Sequence, residues 1–101
     1  HLVTIDIDTD DLYLYESLLH ETTLREIPIF MVTTTSRGFH IILDVTEDRH
    51  AREFYHGSEG MYQYIKTNFE NVEIKPDPME PVPGSLYVKE DGTLHYVKIL
   101  R

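Results

Sequence analysis

Five residues able to bind metal or phosphate sit at alternating positions in strand-like runs. Asp6 and Asp8 lie in Leu2-Val3-Thr4-Ile5-Asp6-Ile7-Asp8, His40 in Gly38-Phe39-His40-Ile41-Ile42-Leu43-Asp44, and Glu73 with Lys75 in Val72-Glu73-Ile74-Lys75. A strand turns successive side chains to opposite faces, so Val3, Ile5 and Ile7 can be buried while Asp6 and Asp8 point together the other way. Two carboxylates on one face offer the hard oxygen ligands that Mg²⁺ or Mn²⁺ prefers, and Glu73 offers a third. An Asp-x-Asp pair alone is also what a helix-capping run looks like, and Asp8-Thr9-Asp10-Asp11 fits that plainer reading.

The run Thr33-Thr34-Thr35-Ser36-Arg37-Gly38-Phe39-His40 gathers hydroxyls, a guanidinium, a glycine and an imidazole into one turn. Such a turn suits phosphate. Backbone N–H groups around Gly38 and the Ser36 hydroxyl can donate, while Arg37 and His40 can neutralise charge. The alternative is an ordinary hairpin turn in which Gly38 fills a φ > 0 position and His40 is solvated.

The elements that must position these residues follow from apolar periodicity and breakers. Residues 2 to 8 read as a strand, and Asp10 offers an N-cap for a helix through about Glu21, with Leu12, Leu14, Leu18 and Leu19 as its apolar contacts. Pro28 reads as the stop. Ile29 to Thr34 and Phe39 to Val45 form a hairpin about Ser36-Arg37-Gly38. Thr46 to Tyr55 is helical, Gly57-Ser58-Glu59-Gly60 interrupts it, and Met61 to Phe69 resumes. Val72 to Lys75 is a strand, the proline-rich stretch from Pro76 to Gly84 a rigid loop, and Ser85 to Lys89 with Leu94 to Leu100 a closing hairpin about Glu90-Asp91-Gly92-Thr93. The expected fold class is therefore α+β, an RRM-like or ferredoxin-like split βαβ with antiparallel sheet order 4-1-3-2 and an added C-terminal β-hairpin. That order brings all three polar runs onto one open sheet face.

Composition narrows the class. At 101 residues the chain reads as a single 1–101 domain, a fragment or minimal version of a larger protein, and 41% hydrophobic residues are enough for a core. No apolar stretch approaches the roughly 20 residues needed to span a bilayer, no export signal is seen, and no membrane partner is expected. Zero cysteines exclude disulfides and thiolate metal sites and fit a cytoplasmic location. A net charge of −9 lacks the basic footprint usual in nucleic-acid binders, so any polyanion site must be local. Divalent cations filling a carboxylate cluster would reverse that repulsion.

Asp6-x-Asp8 after an apolar strand, Ser36-x-Gly38-x-His40 leading a second and Val72-Glu73 entering a third resemble motifs I, II and III of the archaeo-eukaryotic primase superfamily. Glu73-Ile74-Lys75, Pro83-Gly84-Ser85 and Asp91-Gly92 are most similar to its primase-polymerase branch, and the resemblance spans about residues 2 to 96. It implies an RRM-like core performing two-metal nucleotidyl transfer. Asp6, Asp8 and Glu73 would be the catalytic and metal-holding residues for Mg²⁺ or Mn²⁺, and Ser36, Arg37, Gly38, His40 and Lys75 would bind a nucleoside triphosphate. Family members add a module for template and primer, so a DNA template would be held through a partner or a missing module.

Two other classes remain open at this point. One is a non-catalytic RRM-like nucleotide-binding or interaction module, although the predicted face offers Asp6, Asp8 and His40 where an RNA-binding RRM exposes stacking aromatics. The other is a replication-initiator-like nuclease with Tyr62 or Tyr64 as nucleophile. That class holds its metal with His-x-His, and Ile42 stands where the second histidine belongs.

Overall fold

The computed structural model describes residues 1–76 together with two further strands, Leu86–Val88 and Leu94–Tyr96. Along the chain these are β1 (Leu2–Ile7), α1 (Leu12–Leu24), β2 (Ile29–Thr34), β3 (Phe39–Asp44), α2 (Asp48–Tyr55), a 3₁₀ turn (Gly57–Glu59), α3 (Met61–Asn68), β4 (Val72–Lys75), β5 (Leu86–Val88) and β6 (Leu94–Tyr96). The main sheet has order β2-β3-β1-β4 with every neighbour antiparallel, which is the expected 4-1-3-2 arrangement read from the opposite edge. β5 and β6 pair antiparallel as a separate two-stranded sheet, the added hairpin of the sequence reading. The proline-rich loop beyond Pro76 and the Glu90–Thr93 turn lie outside the described residues.

Strand alternation decides the core. Val3, Ile5 and Ile7 of β1, Phe39, Ile41 and Leu43 of β3 and Val72 of β4 are buried on one face, packed with Leu18 of α1, Phe54 of α2 and Met61 and Ile65 of α3. Burying each such side chain contributes about 1.5–3 kcal/mol, which fixes the register of three strands at once. A one-residue slip would turn Asp6 into this core.

Both ends of α1 differ from expectation, α2 starts at Asp48 where Thr46 was expected, and α3 ends at Asn68 where Phe69 was expected. The N-cap of α1 is Asp11, not Asp10: its Oδ1 accepts from the Tyr13 N–H at 3.0 Å and the Leu14 N–H at 3.3 Å. Asp11 immediately precedes the first helical residue, so its short side chain reaches the second and third free N–H groups. The helix also runs past Glu21 to Leu24, where the Thr22 and Thr23 hydroxyls donate to the Leu18 and Leu19 carbonyls. It ends at Leu24 with Arg25 as its C-cap, and Glu26 just beyond takes φ 57°, before Pro28 is reached. Leu12 at the helix start is exposed, and the packed face is formed by Leu14, Tyr15, Leu18 and Leu19.

Candidate functional site

One register row crosses the whole main sheet. Thr33 of β2 pairs with His40 of β3, His40 with Asp6 of β1, and Asp6 with Glu73 of β4. Residues far apart in sequence are thereby neighbours on the face turned away from the helices. The next row on that face carries Met31, Ile42, Thr4 and Lys75.

Asp6 is the centre of this arrangement. His40 Nε2 lies 3.0 Å from Asp6 Oδ1, and Lys75 Nζ lies 3.2 Å from Asp6 Oδ2. An ionised carboxylate carries no proton, so the imidazole N–H donates. The hydrogen bond from His40 holds the Asp6 carboxyl below the ordinary aspartate range; partial burial opposes this, and the charges of His40 and Lys75 reinforce it. The side chains of Asp6 and His40 are 21% and 15% exposed, so their interaction is less screened than a surface pair.

Asp8 follows just beyond β1, where its N–H donates to the Asn71 carbonyl at 2.8 Å and extends the contact between the ends of β1 and β4. Its Oδ2 is 3.6 Å from Arg37 Nη1, across from the turn that joins β2 to β3. Both side chains are more than half exposed, so this pair contributes about 0–1 kcal/mol. The pair spans from the turn that precedes His40 to the carboxylate two residues beyond Asp6. Glu73 is exposed opposite Asp6, and Ser36 is half-buried in the turn.

The turn itself is built differently from the sequence expectation. Gly38 does not adopt a positive φ; that conformation occurs at Gly57 and Glu26 among the described residues. Gly38 instead presses against the end of β1, where a Cβ would fall 2.1 Å from the Ile7 carbonyl oxygen and 2.4 Å from that of Thr9. The expected free N–H of Gly38 is also engaged, since Thr35 Oγ1 accepts from it at 3.0 Å and from the Arg37 N–H at 3.4 Å. Thr35 is the residue that sequence reasoning missed. The available signal was a threonine placed two and three residues before these N–H groups, the spacing of a side-chain-closed turn.

The face is less open than expected. Thr4, Thr33 and Ile42 share it with Asp6 and His40, yet each is 1% exposed or less. The Thr4 hydroxyl is buried and has no hydrogen-bond partner among the described residues. The sheet therefore presents a partly covered site around Asp6 and His40, flanked by exposed Asp8 and Glu73.

In donor chemistry Asp6, Asp8 and Glu73 suit a hard divalent cation, because all three are carboxylates and the register sets Asp6 opposite Glu73. Among the described residues no three such side chains are gathered into a metal-holding group. Asp6 turns its oxygens to His40 and Lys75, and Asp8 turns to Arg37. The donors match a divalent cation in chemical kind only, and cationic side chains engage two of the three.

The tyrosines of α3 pack. Tyr64 meets Phe69 edge-on at 5.8 Å and lies under the Arg25 guanidinium, while Tyr62 meets Phe54 at 6.4 Å. Among the described residues no helix is long and apolar enough to cross a membrane. In comparisons with known proteins, no family model, curated protein or solved structure matches this chain.

Proposed function

We propose that this chain is a nucleotidyltransferase core of the primase-polymerase type, acting on nucleoside triphosphates with Mg²⁺ or Mn²⁺ held by Asp6, Asp8 and Glu73. The observation that carries this reading is the single register row in which Asp6 faces His40 on one neighbouring strand and Glu73 on the other. When bound, the cations would neutralise the triphosphate and lower the pKa of the attacking hydroxyl. The chain's own residues divide the remaining work. Asp6, Asp8 and Glu73 supply the anionic oxygens, and the sheet fixes the spacing of Asp6 and Glu73. His40 and Arg37 present positive or donor groups to phosphate from the adjacent strand and turn, with Ser36 and Lys75 within the same region. Gly38 lets that turn lie against the end of β1. With a net charge of −9, the chain would receive its DNA template through a partner or a further module.

A second reading is a non-catalytic RRM-like module that binds nucleotide or another molecule without turnover. It is favoured by the pairing of Asp6 with His40 and Lys75, which satisfies both oxygens from within the chain. Mg²⁺- or Mn²⁺-dependent incorporation of labelled nucleotide on a primed template separates the two. Incorporation that disappears in the Asp6→Ala plus Asp8→Ala double variant supports catalysis; incorporation that survives the double change overturns the proposed chemistry.

A further inference from the structure

Thr4, Thr33 and Ile42 are turned away from the helices, yet each is 1% exposed or less. Ile42 is no part of the core between sheet and helices, although both its neighbours on β3, Ile41 and Leu43, are. Leu18 of α1, Phe54 of α2 and Met61 and Ile65 of α3 all pack on the opposite face, so no described helix shields these three residues. A further layer must cover them. Its character is apolar, because Ile42 stands opposite Thr4, whose buried hydroxyl has no hydrogen-bond partner among the described residues. Thr33, Thr34, Arg37 and His40, which follow β2 through its turn into β3, each make a further interaction beyond those given above.

The β5–β6 hairpin has the converse need. Leu86 pairs with Tyr96 and Val88 with Leu94, so strand alternation sets these four apolar residues at positions of one face and Tyr87 with His95 at positions of the other. A two-stranded hairpin standing alone in water is marginal, and it gains stability by packing its apolar face on another layer. Ten residues separate Lys75 from Leu86 and can span about 33–36 Å at full extension. Four strands are roughly 14 Å across, so the hairpin can reach any part of the main sheet from β4.

We propose that the apolar face of the β5–β6 hairpin docks over Thr4, Thr33 and Ile42, making the outward face of the main sheet an intramolecular interface. The inference is independent of the metal-dependent reading above. With that part of β2, β3 and β1 occupied from within the chain, a nucleic-acid strand cannot lie across the central strands as it does on an RNA-binding RRM. Any ligand of Asp6 and His40 then enters from the side where Asp8 and Glu73 are exposed.

The test is labelling of one introduced cysteine by a thiol reagent, since the chain has none of its own. Ile42→Cys probes the covered face, and Ile41→Cys, beside it in the helix-side core, reports unfolding. Each is made in the full chain with and without the pair Leu86→Asp and Leu94→Asp, which puts charge on the apolar face of the hairpin. Ile42→Cys should label slowly in the unchanged background and about ten-fold faster or more in the charged one, while Ile41→Cys stays slow in both. Fast labelling of Ile42→Cys in the unchanged background, with Ile41→Cys slow, would overturn the proposal, and so would slow labelling of Ile42→Cys in both. A rate for Ile42→Cys that rises on dilution would assign the cover to a second copy and overturn it as well. Should the variants unfold, the wild-type chain decides: magnetic cross-relaxation between the Ile42 methyls and those of Leu86, Val88 or Leu94, within one chain in a mixed-label sample, is the expected result, and its absence overturns the docking.

Discussion

Asp6 and His40 stand directly opposite one another on two antiparallel strands, with Nε2 of the imidazole 3.0 Å from Oδ1 of the carboxylate. The pair lies on the partly covered face of the sheet, where water screens it less than it would a surface pair. Because His40 and Lys75 favour the ionised form, the Asp6 carboxyl titrates below its ordinary range in the folded chain. A carboxyl whose folded pKa is depressed stabilises the fold at pH values above its unfolded pKa of about 4, and that stability is lost as pH falls through the folded value. Asp6→Asn should therefore cost about 1–2 kcal/mol at neutral pH, and the deficit should shrink below about pH 4. Urea unfolding of both proteins across pH 7 to 2 measures this; a deficit that stays constant with pH would contradict it.

Gly38→Ala should destabilise the chain by more than about 2 kcal/mol, because the new methyl meets the Ile7 and Thr9 backbone oxygens at 2.1 and 2.4 Å. Neither atom can swing aside. Replacing Gly57 by Ala is the useful contrast, since there φ is +57° but no atom of the described residues lies within 4 Å, so only the backbone penalty of about 1 kcal/mol applies. Thermal unfolding of the two variants should rank them in that order.

The Thr35 hydroxyl closes the turn before His40, so Thr35→Val should remove two acceptor contacts while keeping the side-chain shape. The expected loss is about 1 kcal/mol, with Thr35→Ser recovering most of it. Faster amide exchange at Arg37 and Gly38 in Thr35→Val is the local readout. Protection unchanged at both amides would show that the hydroxyl does not hold the turn.

At the start of α1, Asp11→Ala should cost about 1 kcal/mol and Asp10→Ala should be close to neutral, because Asp11 accepts from Tyr13 and Leu14. Chemical denaturation of the two single variants distinguishes them directly.

The strand order and the helix-facing side chains were legible because alternation is unambiguous where one face is apolar: Val3, Ile5, Ile7, Phe39, Ile41, Leu43 and Val72 all lie where period-two reading puts them. The convergence of Asp6, His40 and Glu73 followed from that order. Other features depend on atomic contacts that no periodicity encodes. Asp10 and Asp11 are equivalent by residue type, and only the first helical turn chooses between them. Gly38 reads as a conformational glycine until its distance to β1 is known. The engagement of Asp6 by Lys75 arises from a diagonal reach between register rows, and Ile42, beside Met31, puts a buried apolar side chain on the same face as Asp6 and His40.

The proposed function requires Asp6, Asp8 and Glu73 to form one cation site for a nucleoside triphosphate. A crystal soaked with Mn²⁺ and a nucleoside triphosphate, measured at the manganese absorption edge, tests it most directly. The expected result is anomalous density bonded to carboxylate oxygens of Asp6, Asp8 and Glu73, with the triphosphate reaching towards His40 and Arg37 and Lys75 withdrawn from Asp6. Manganese bound elsewhere, with Lys75 still paired to Asp6, would contradict it.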